Sequence, residues 1–196
     1  GEEWLVEPKQ LENLYTWSPG IKINIQPGSW SHQNEWFGPV LGVMKAKDLQ
    51  QAIDWQNSVP YGLTAGFQSL SKKECEFWIE NVEAGNLYVN RTTTGAVVNR
   101  HPFGGWKNSS FGLTSKTGGD HYVSMFRNHK LLDNIESLRY EFKRTWEEIG
   151  NKSIKLGDTK SERNFKRYIP YKNILIVTED NHSKELETLI FWIGDL

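Results

Sequence analysis

Residues 85–105, GNLYVNRTTTGAVVNRHPFGG, pass from a short strand into a long loop. The first part has the apolar and aromatic character of a strand, in Leu87, Tyr88 and Val89. After Asn90 almost no residue favours a helix or a long strand, so the sequence predicts a loop. The stretch therefore predicts a strand that leads directly into a long loop.

Bare backbone occurs at two places in this loop. Gly95 with Ala96, and the Gly-Gly pair that follows Phe103, leave N–H groups that a ligand or another chain segment can approach. Pro102 fixes its own φ and favours an extended preceding residue, so Phe103 is presented on a stiff support. An apolar ring beside an anion site suits a short molecule with a carboxylate end and an aliphatic middle.

A βαβ unit is predicted immediately before the loop. A strand over residues 64–68 leads to a helix that Ser71 and Glu74 begin as a capping box and that ends before Gly85. Parallel strands joined by a right-handed crossover are expected. The apolar stripe of the helix consists of Cys75, Trp78, Ile79 and Val82. Because this stripe puts Cys75 on the buried face, we reject Cys75 as a catalytic nucleophile.

Upstream segments supply a further strand and helix. Residues 1–34 alternate aromatic and polar positions between prolines and glycines, which predicts loops with short strands. The apolar run over residues 40–44 is typical of a buried strand. Asp48 can cap the following helix, which ends before Pro60 and has an apolar face made of Leu49, Ala52 and Ile53.

Downstream, an amphipathic helix is predicted, with Asp133 and Glu136 as a capping pair and Gly150 at its end. Its apolar positions are Leu131, Ile135, Leu138, Phe142, Trp146 and Ile149. The polar residues 151–164 predict a linker. A strand over residues 174–177 and a helix with Leu186, Leu189, Ile190 and Ile193 on one face either begin another βα domain or add to the first sheet.

Composition excludes several classes of function. The 23 basic and 24 acidic residues nearly balance, so neither nucleic acid nor a membrane surface is an expected partner. No apolar run approaches the roughly 20 residues of a membrane span, and no signal peptide opens the chain. The single cysteine cannot form an intrachain disulfide. These features predict a cytoplasmic protein.

The motifs around the loop, in combination, resemble the C-terminal part of aldehyde dehydrogenases. They are NEWFGPVLGV over residues 34–43, YGL over 61–63, PFGG over 102–105, GGWKNSSFG over 104–112 and KTGGDHY over 116–122. The resemblance is strongest to the branch that oxidises glutamate semialdehyde, the open form of 1-pyrroline-5-carboxylate, in proline breakdown. It covers residues 4–130.

The resemblance implies roles for five residues. Glu35 would accept hydrogen bonds from both hydroxyls of the nicotinamide ribose of NAD, as a carboxylate can, and Phe37 would pack near the nicotinamide ring. The backbone at Gly95 and Ala96 would bind the substrate carboxylate, and Phe103 would pack on the substrate methylenes. We leave the two arginines of the loop, at positions 91 and 100, out of the site. His101 and the Asn-Arg pair before it depart from the usual pattern of that branch.

The resemblance also implies the architecture. We expect an α/β fold, a partial aldehyde dehydrogenase catalytic domain with βαβ units in an open, mostly parallel sheet. Residues 1–130 would be the C-terminal half of that domain, 131–164 an amphipathic helix and linker, and 165–196 a strand-helix extension. The full enzyme would be a homo-oligomer. Whether a proline dehydrogenase domain precedes this segment in the same polypeptide stays open.

The sequence does not contain the complete chemistry of this family. It has no Gly-Gln-x-Cys nucleophile motif, no Glu-Leu-Gly-Gly base motif and no glycine-rich dinucleotide turn, so we assign no catalytic residue and no metal ligand. Three hypotheses remain. The chain is part of an NAD-dependent glutamate-semialdehyde dehydrogenase, part of an aldehyde dehydrogenase of other specificity, or a catalytically silent piece that serves oligomerisation or regulation.

Overall fold

The computed structural model describes residues 1–111, 116–127, 135–150 and 152–170, and the α/β fold is confirmed there. The strands are β1 (Glu3–Val6), β2 (Gly20–Ile23), β3 (Val40–Gly42), β4 (Tyr61–Gly62), β5 (Thr64–Phe67), β6 (Asn86–Val89), β7 (Trp106–Lys107), β8 (Ile154–Lys155) and β9 (Phe165–Lys166). The α-helices are α1 (Trp30–Gln33), α2 (Leu49–Asn57), α3 (Lys72–Asn81) and α4 (Ile135–Ile149), and a 3₁₀-helix spans Val123–Phe126. The chain forms two compact units, residues 1–98 with 102–125, and residues 99–101 with 126–196.

The predicted βαβ unit is present. Strands β5 and β6 pair in parallel, with Thr64 opposite Asn86 and Phe67 opposite Val89, and α3 connects them. The other strands of the described ranges form small sheets: β1-β2-β3, β4-β7 and β8-β9. Of the mostly parallel sheet that was predicted, the described residues therefore contain two parallel strand pairs, β5-β6 and β2-β3.

The core of the first unit lies where α2 and α3 pack on β5 and β6. Trp78 of α3 is only 2% exposed, and its ring stacks on Phe67 of β5 with centroids 5.4 Å apart. Ile53 is the buried residue of α2, as its place on the predicted apolar face requires. Ala65, Val82 and Ala84 complete this cluster. A buried tryptophan contributes a large apolar area, so this contact anchors the unit.

The helix caps are formed locally. Asp48 Oδ1 accepts a hydrogen bond from the backbone N–H of Gln51 at 2.8 Å, which confirms the predicted cap of α2. Ser71 caps α3 in the same way, by accepting from the N–H of Glu74 at 3.4 Å. The carboxylate of Glu74 accepts from the Ser69 hydroxyl at 2.5 Å, and that hydroxyl accepts from the Ser71 N–H at 3.0 Å. The Glu74 carboxylate therefore reaches the Ser71 N–H indirectly, through the Ser69 hydroxyl, instead of accepting from it directly as in a capping box.

The end of α3 differs from the prediction. The helix ends at Asn81, and Val82 is extended although it stays buried. Gly85 is therefore not the helix stop. A Cβ on Gly85 would collide with the carbonyl oxygen of Gly104, so the position requires glycine because two backbone segments approach closely. Cys75, predicted to be on the buried face, is only partly buried, and its Sγ donates to the carbonyl of Ser69 at 3.6 Å.

The strand predicted over residues 40–44 is shorter and more exposed than expected. Strand β2 pairs antiparallel with β1 and parallel with β3, which leaves β3 at the edge of its sheet. Leu41 is 59% exposed, because in the described part of the chain this edge strand has a neighbour on one side only. The prediction of a buried strand was wrong in this respect.

The second unit contains the predicted amphipathic helix as α4. At its end the N–H of Gly150 donates to the carbonyl of Trp146 at 2.7 Å. Asp133, the predicted cap, lies outside the described residues, as do the strand and helix predicted within 174–193. The predicted linker instead contains β8, which pairs antiparallel with β9. Asn164 stabilises the connection, because its side-chain amide donates to the carbonyl of Gly157 at 2.9 Å.

Within the described residues, no helix has the length and apolar character that crossing a bilayer requires.

Candidate functional site

Helix α1 delivers Glu35 and Phe37. Ser29 caps this single-turn helix by accepting from the N–H of His32 at 3.3 Å, and Asn34 ends it in an extended conformation. Glu35 is exposed, and the Phe37 ring is 92% exposed. Phe37 has a φ of 47°, a left-handed conformation that is rare for a residue with a side chain and that often occurs at functional sites.

Trp36, between these two residues, holds the segment in place. Its ring makes edge contacts with Trp4 at 5.7 Å and with Trp30 at 5.3 Å, measured between ring centroids. The Lys22 ammonium lies 5.3 Å from the centroid of the Trp36 ring. Glu35 and Phe37 are therefore presented to solvent from an anchored neighbour.

The charge of Lys22 is balanced by Glu2. The two side chains form an ion pair at 2.8 Å, and the Ser31 hydroxyl donates to the same carboxylate at 2.7 Å. The Lys22 ammonium and the serine hydroxyls lower the pKa of Glu2 to about 2. Through Ser31, this pair joins the residue before β1 to β2 and α1 beside the aromatic cluster, and no sequence pattern beyond the charges themselves indicated it.

The loop around Gly95 and Ala96 is shaped by Arg91. The guanidinium lies 5.2 Å from the centroid of the Tyr88 ring, and it donates to the carbonyl of Thr94 at 2.7 Å. Gly95 has a φ of 89°, which a side chain rarely allows, and both Gly95 and Ala96 are exposed. Arg91, which sequence reasoning left out of the site, therefore supports the backbone conformation predicted to bind an anion.

Phe103 is half-buried and held by its own backbone. Its N–H donates to the carbonyl of Thr117 at 3.0 Å, and the N–H of Thr117 donates back at 2.9 Å. A Cβ on Gly118 would lie 3.1 Å from the Cα of Val98, three residues beyond Gly95. The turn at residues 117–119 thus contacts both the segment after Gly95 and Phe103, which were predicted to lie at one site.

The Gly-Gly pair at 104 and 105 is covered by protein. A Cβ on Gly104 would meet the backbone of Lys116 at 3.2 Å, and one on Gly105 would collide with Ser109. Of the two stretches of bare backbone in the loop, only Gly95 with Ala96 is therefore open to a ligand.

Sequence reasoning missed Lys116 and Asn86. The Lys116 ammonium donates to the carbonyls of Gly85 and Gly104 and to the side chain of Asn86. Burial lowers the pKa of Lys116 to about 8. The signal in the sequence was slight, a lysine in the KTGG motif and an asparagine at the start of a strand.

The first unit also contains a cavity away from the predicted site residues. A cavity of about 370 Å³ lies between β3 and α2, but its lining includes none of the predicted site residues. His32 lines it, with one ring nitrogen accepting from the N–H of Gly28 at 2.9 Å and the other 3.1 Å from the carbonyl of Trp55. Among the residues with described positions, no cluster of three His, Cys, Asp or Glu side chains could hold a metal ion.

A parallel βαβ unit whose second strand leads into an exposed glycine loop defines an α/β domain. Within that class, the chain belongs to the aldehyde dehydrogenase family, whose sequence model matches residues 1–132.

Within this family, the chain is similar to proteins that act on 1-pyrroline-5-carboxylate or are named for proline utilization. The 1-pyrroline-5-carboxylate dehydrogenase of Staphylococcus saprophyticus is 40% identical over 124 residues, which are 62% of this chain and 23% of the relative. A structure of Proline Utilization A (PutA) from Corynebacterium freiburgense is 44% identical with a TM-score of 0.70, over 79% of this chain and 18% of that one. A Thermus 1-pyrroline-5-carboxylate dehydrogenase with bound NAD is 40% identical with a TM-score of 0.57, over 60% of this chain and 23% of that one. The chain thus spans less than a quarter of the length of each.

Proposed function

We propose that this chain is part of an NAD-dependent dehydrogenase that oxidises L-glutamate 5-semialdehyde to glutamate in proline degradation. Membership of the aldehyde dehydrogenase family and the names of the similar proteins support this proposal. The catalytic thiol then belongs to a part of the polypeptide outside this chain. The chain itself supplies contacts that bind and orient.

The segment around Glu35 fits a dinucleotide. An exposed carboxylate can accept both hydroxyls of a ribose, and the exposed Phe37 ring beside it can pack near a flat heterocycle. NAD supplies a hydride acceptor when it is bound. The role of this segment is then to fix the orientation of the nicotinamide, with Trp36 as the anchor.

The backbone at Gly95 and Ala96 is the observation that carries the proposal. It is exposed, it has the positive φ that only glycine adopts readily, and Arg91 holds its conformation. Bare N–H groups of this kind suit the carboxylate at the far end of glutamate semialdehyde. Phe103 would pack on the methylenes between that carboxylate and the aldehyde. Holding both parts of the substrate brings the aldehyde to the thiol in a fixed geometry.

Partners and location follow from the same proposal. The complete enzyme assembles as a homo-oligomer, and the similarity to Proline Utilization A supports a proline dehydrogenase domain in the same polypeptide. We place the enzyme in the cytoplasm.

The substitution Gly95→Val in the complete enzyme tests the substrate site. A side chain here would strain the backbone and meet the Arg91 guanidinium at about 3.4 Å, which disturbs the N–H groups that hold the carboxylate. Loss of one or two hydrogen bonds to a charged group raises KM by about 10-fold to 100-fold. Steady-state kinetics with glutamate semialdehyde and with propanal, which has no distal carboxylate, measure this effect.

Gly28→Val is the matched control, because Gly28 also has a positive φ and faces open space. It should leave the KM for both aldehydes within about twofold of wild type. An unchanged KM for the semialdehyde in Gly95→Val would contradict the proposed site. A wild-type preference for propanal would favour an aldehyde dehydrogenase of other specificity, and no turnover of either aldehyde would favour the silent piece.

A further inference from the structure

A partly buried lysine amine lies at the base of the loop that runs from β6 to Phe103. Lys116 Nζ donates to the carbonyl of Gly85, to Asn86 Oδ1 at 3.1 Å and to the carbonyl of Gly104 at 3.1 Å. A lysine ammonium has three N–H donors, and these three oxygens occupy all of them. The amine is therefore engaged in holding other groups and is unsuited to act as a nucleophile.

Asn86 extends this contact to both ends of the loop. Its side chain is at the first residue of β6 and is only 2% exposed. The amide Nδ2 donates to the carbonyl of Pro102 at 2.9 Å, and Oδ1 accepts from the N–H of Gly104 at 3.0 Å. These two bonds flank Phe103 on either side along the chain. Burial strengthens hydrogen bonds of this kind and makes each one costly to lose.

We propose that Lys116 and Asn86 form a clamp that closes the base of the substrate loop and so sets specificity for aldehydes with a distal carboxylate. This inference rests on the proposed function. The clamp joins the segment that enters the loop, at residues 85 and 86, to the segment that leaves it, at residues 102 and 104. Neither side chain touches the substrate, so both are positioning residues.

The position of Lys116 next to Thr117 couples the clamp to the substrate contacts. The backbone of Thr117 exchanges two hydrogen bonds with Phe103, and the following glycine packs against Val98. A shift of the Lys116 segment would therefore move the Phe103 ring and the segment after Ala96 together. Since small displacements of a bound group reduce its effective concentration strongly, the clamp should matter most for the substrate that uses both contacts.

The substitution Lys116→Met in the complete enzyme tests the clamp. Methionine keeps much of the length of the side chain but donates no hydrogen bond. We expect KM for glutamate semialdehyde to rise about tenfold or more, while kcat and the KM for propanal stay within about twofold of wild type. Lys116→Arg, which keeps a charged donor, should recover most of the loss. An equal loss for both aldehydes would show a merely structural role and overturn the inference, as would no loss for either.

A second variant decides the question if Lys116→Met does not fold. Asn86→Asp keeps an oxygen that accepts from Lys116 and Gly104, but it replaces the donor to Pro102 with a second carboxylate oxygen and adds a negative charge next to the Lys116 ammonium. It should raise KM for the semialdehyde several-fold and leave the KM for propanal unchanged, whereas an unchanged ratio of the two KM values overturns the inference. The proposed function fails separately, when wild type shows no preference for the semialdehyde. The clamp fails alone when that preference survives in both Lys116→Met and Asn86→Asp.

Discussion

Gly85 packs directly against the backbone of Gly104. Its own N–H donates to the carbonyl of Gly62 at 2.9 Å, so this glycine lies where three chain segments meet. A side chain of any size there must push one of these segments away. This crowding makes Gly85 one of the positions where the first unit tolerates least change.

Gly85→Ala should destabilise the chain by about 1–3 kcal/mol or more, since overpacking forces the backbone to shift. Urea denaturation followed by tryptophan fluorescence measures the free energy of unfolding. Gly38→Ala is the matched control, because a Cβ there would meet only the carbonyl of Trp36, at 3.7 Å. Equal stability of the two variants would contradict the close packing of Gly85 against Gly104.

For single residues, the sequence indicates that a position has a structural role more readily than it indicates which contact requires the residue. Gly85 was predicted as a glycine that stops a helix, but its requirement comes from Gly104, which is 19 positions away and not visible in a local pattern. Arg91 was set aside as a surface arginine, yet it shapes the Gly95 loop. Contacts between distant segments decide both cases, and no periodicity encodes them.

At the scale of elements, α2 depends on its N-terminal cap. Asp48 accepts from the N–H of Gln51, one of the orphan donors of the first turn. Asp48→Ala should reduce the free energy of unfolding by about 1 kcal/mol, because that donor loses its partner. Asp48→Asn keeps a side-chain oxygen and should retain most of the stability. Urea midpoints for the three proteins check the prediction, and a similar loss in both variants would argue against the cap.

Elements with local signals were predicted well, and elements without them were not. The caps at Asp48 and Ser71, together with apolar stripes, predicted α2 and α3, and β5 and β6 followed from them. Strand β8 and the turn that follows it were predicted as a linker, because their polar residues suggested contact with solvent. In the structure, polar groups of Asn164 and Asp158 form hydrogen bonds within the turn, where Asp158 Oδ1 accepts from the Asn164 N–H at 3.2 Å. Polarity alone does not separate a linker from a hydrogen-bonded turn.

At the scale of the whole molecule, the sequence predicts residues of a site but not the groups that support them. Glu35, Gly95 and Phe103 came from motifs, and they lie on exposed or half-buried segments, while their binding roles stay predictions. That Glu35 and the Gly95 loop face one cavity stays a prediction. The supporting groups are polar side chains such as the buried Asn86 and the partly buried Lys116, residue types that usually lie on the surface. Their burial depends on the close approach of segments that the sequence does not reveal.

The response of the chain to acid should depend on Glu2. Its pKa is about 2 in the folded chain against an ordinary value of 4.5, because Lys22 and the neighbouring hydroxyls favour the carboxylate. A lowered pKa in the folded state means that the stability from this pair is fully present above about pH 4.5. It is lost as the pH falls from there toward 2, when protonation removes the ion pair between Glu2 and Lys22 of β2.

Glu2→Gln should therefore be less stable than wild type at pH 7, and the difference should shrink as the pH falls from 4.5 toward 2. Urea midpoints at pH 7, 4.5 and 3 measure this, followed by tryptophan fluorescence, to which Trp4 and Trp36 beside Lys22 contribute. Glu12→Gln makes the same change of charge at an exposed position, so it separates the ion pair from a general effect of net charge. A gap between Glu2→Gln and wild type that stays constant with pH would contradict the assignment. So would an equal loss in Glu12→Gln, since Glu2, unlike the exposed Glu12, pairs with the Lys22 ammonium that lies over Trp4 and Trp36.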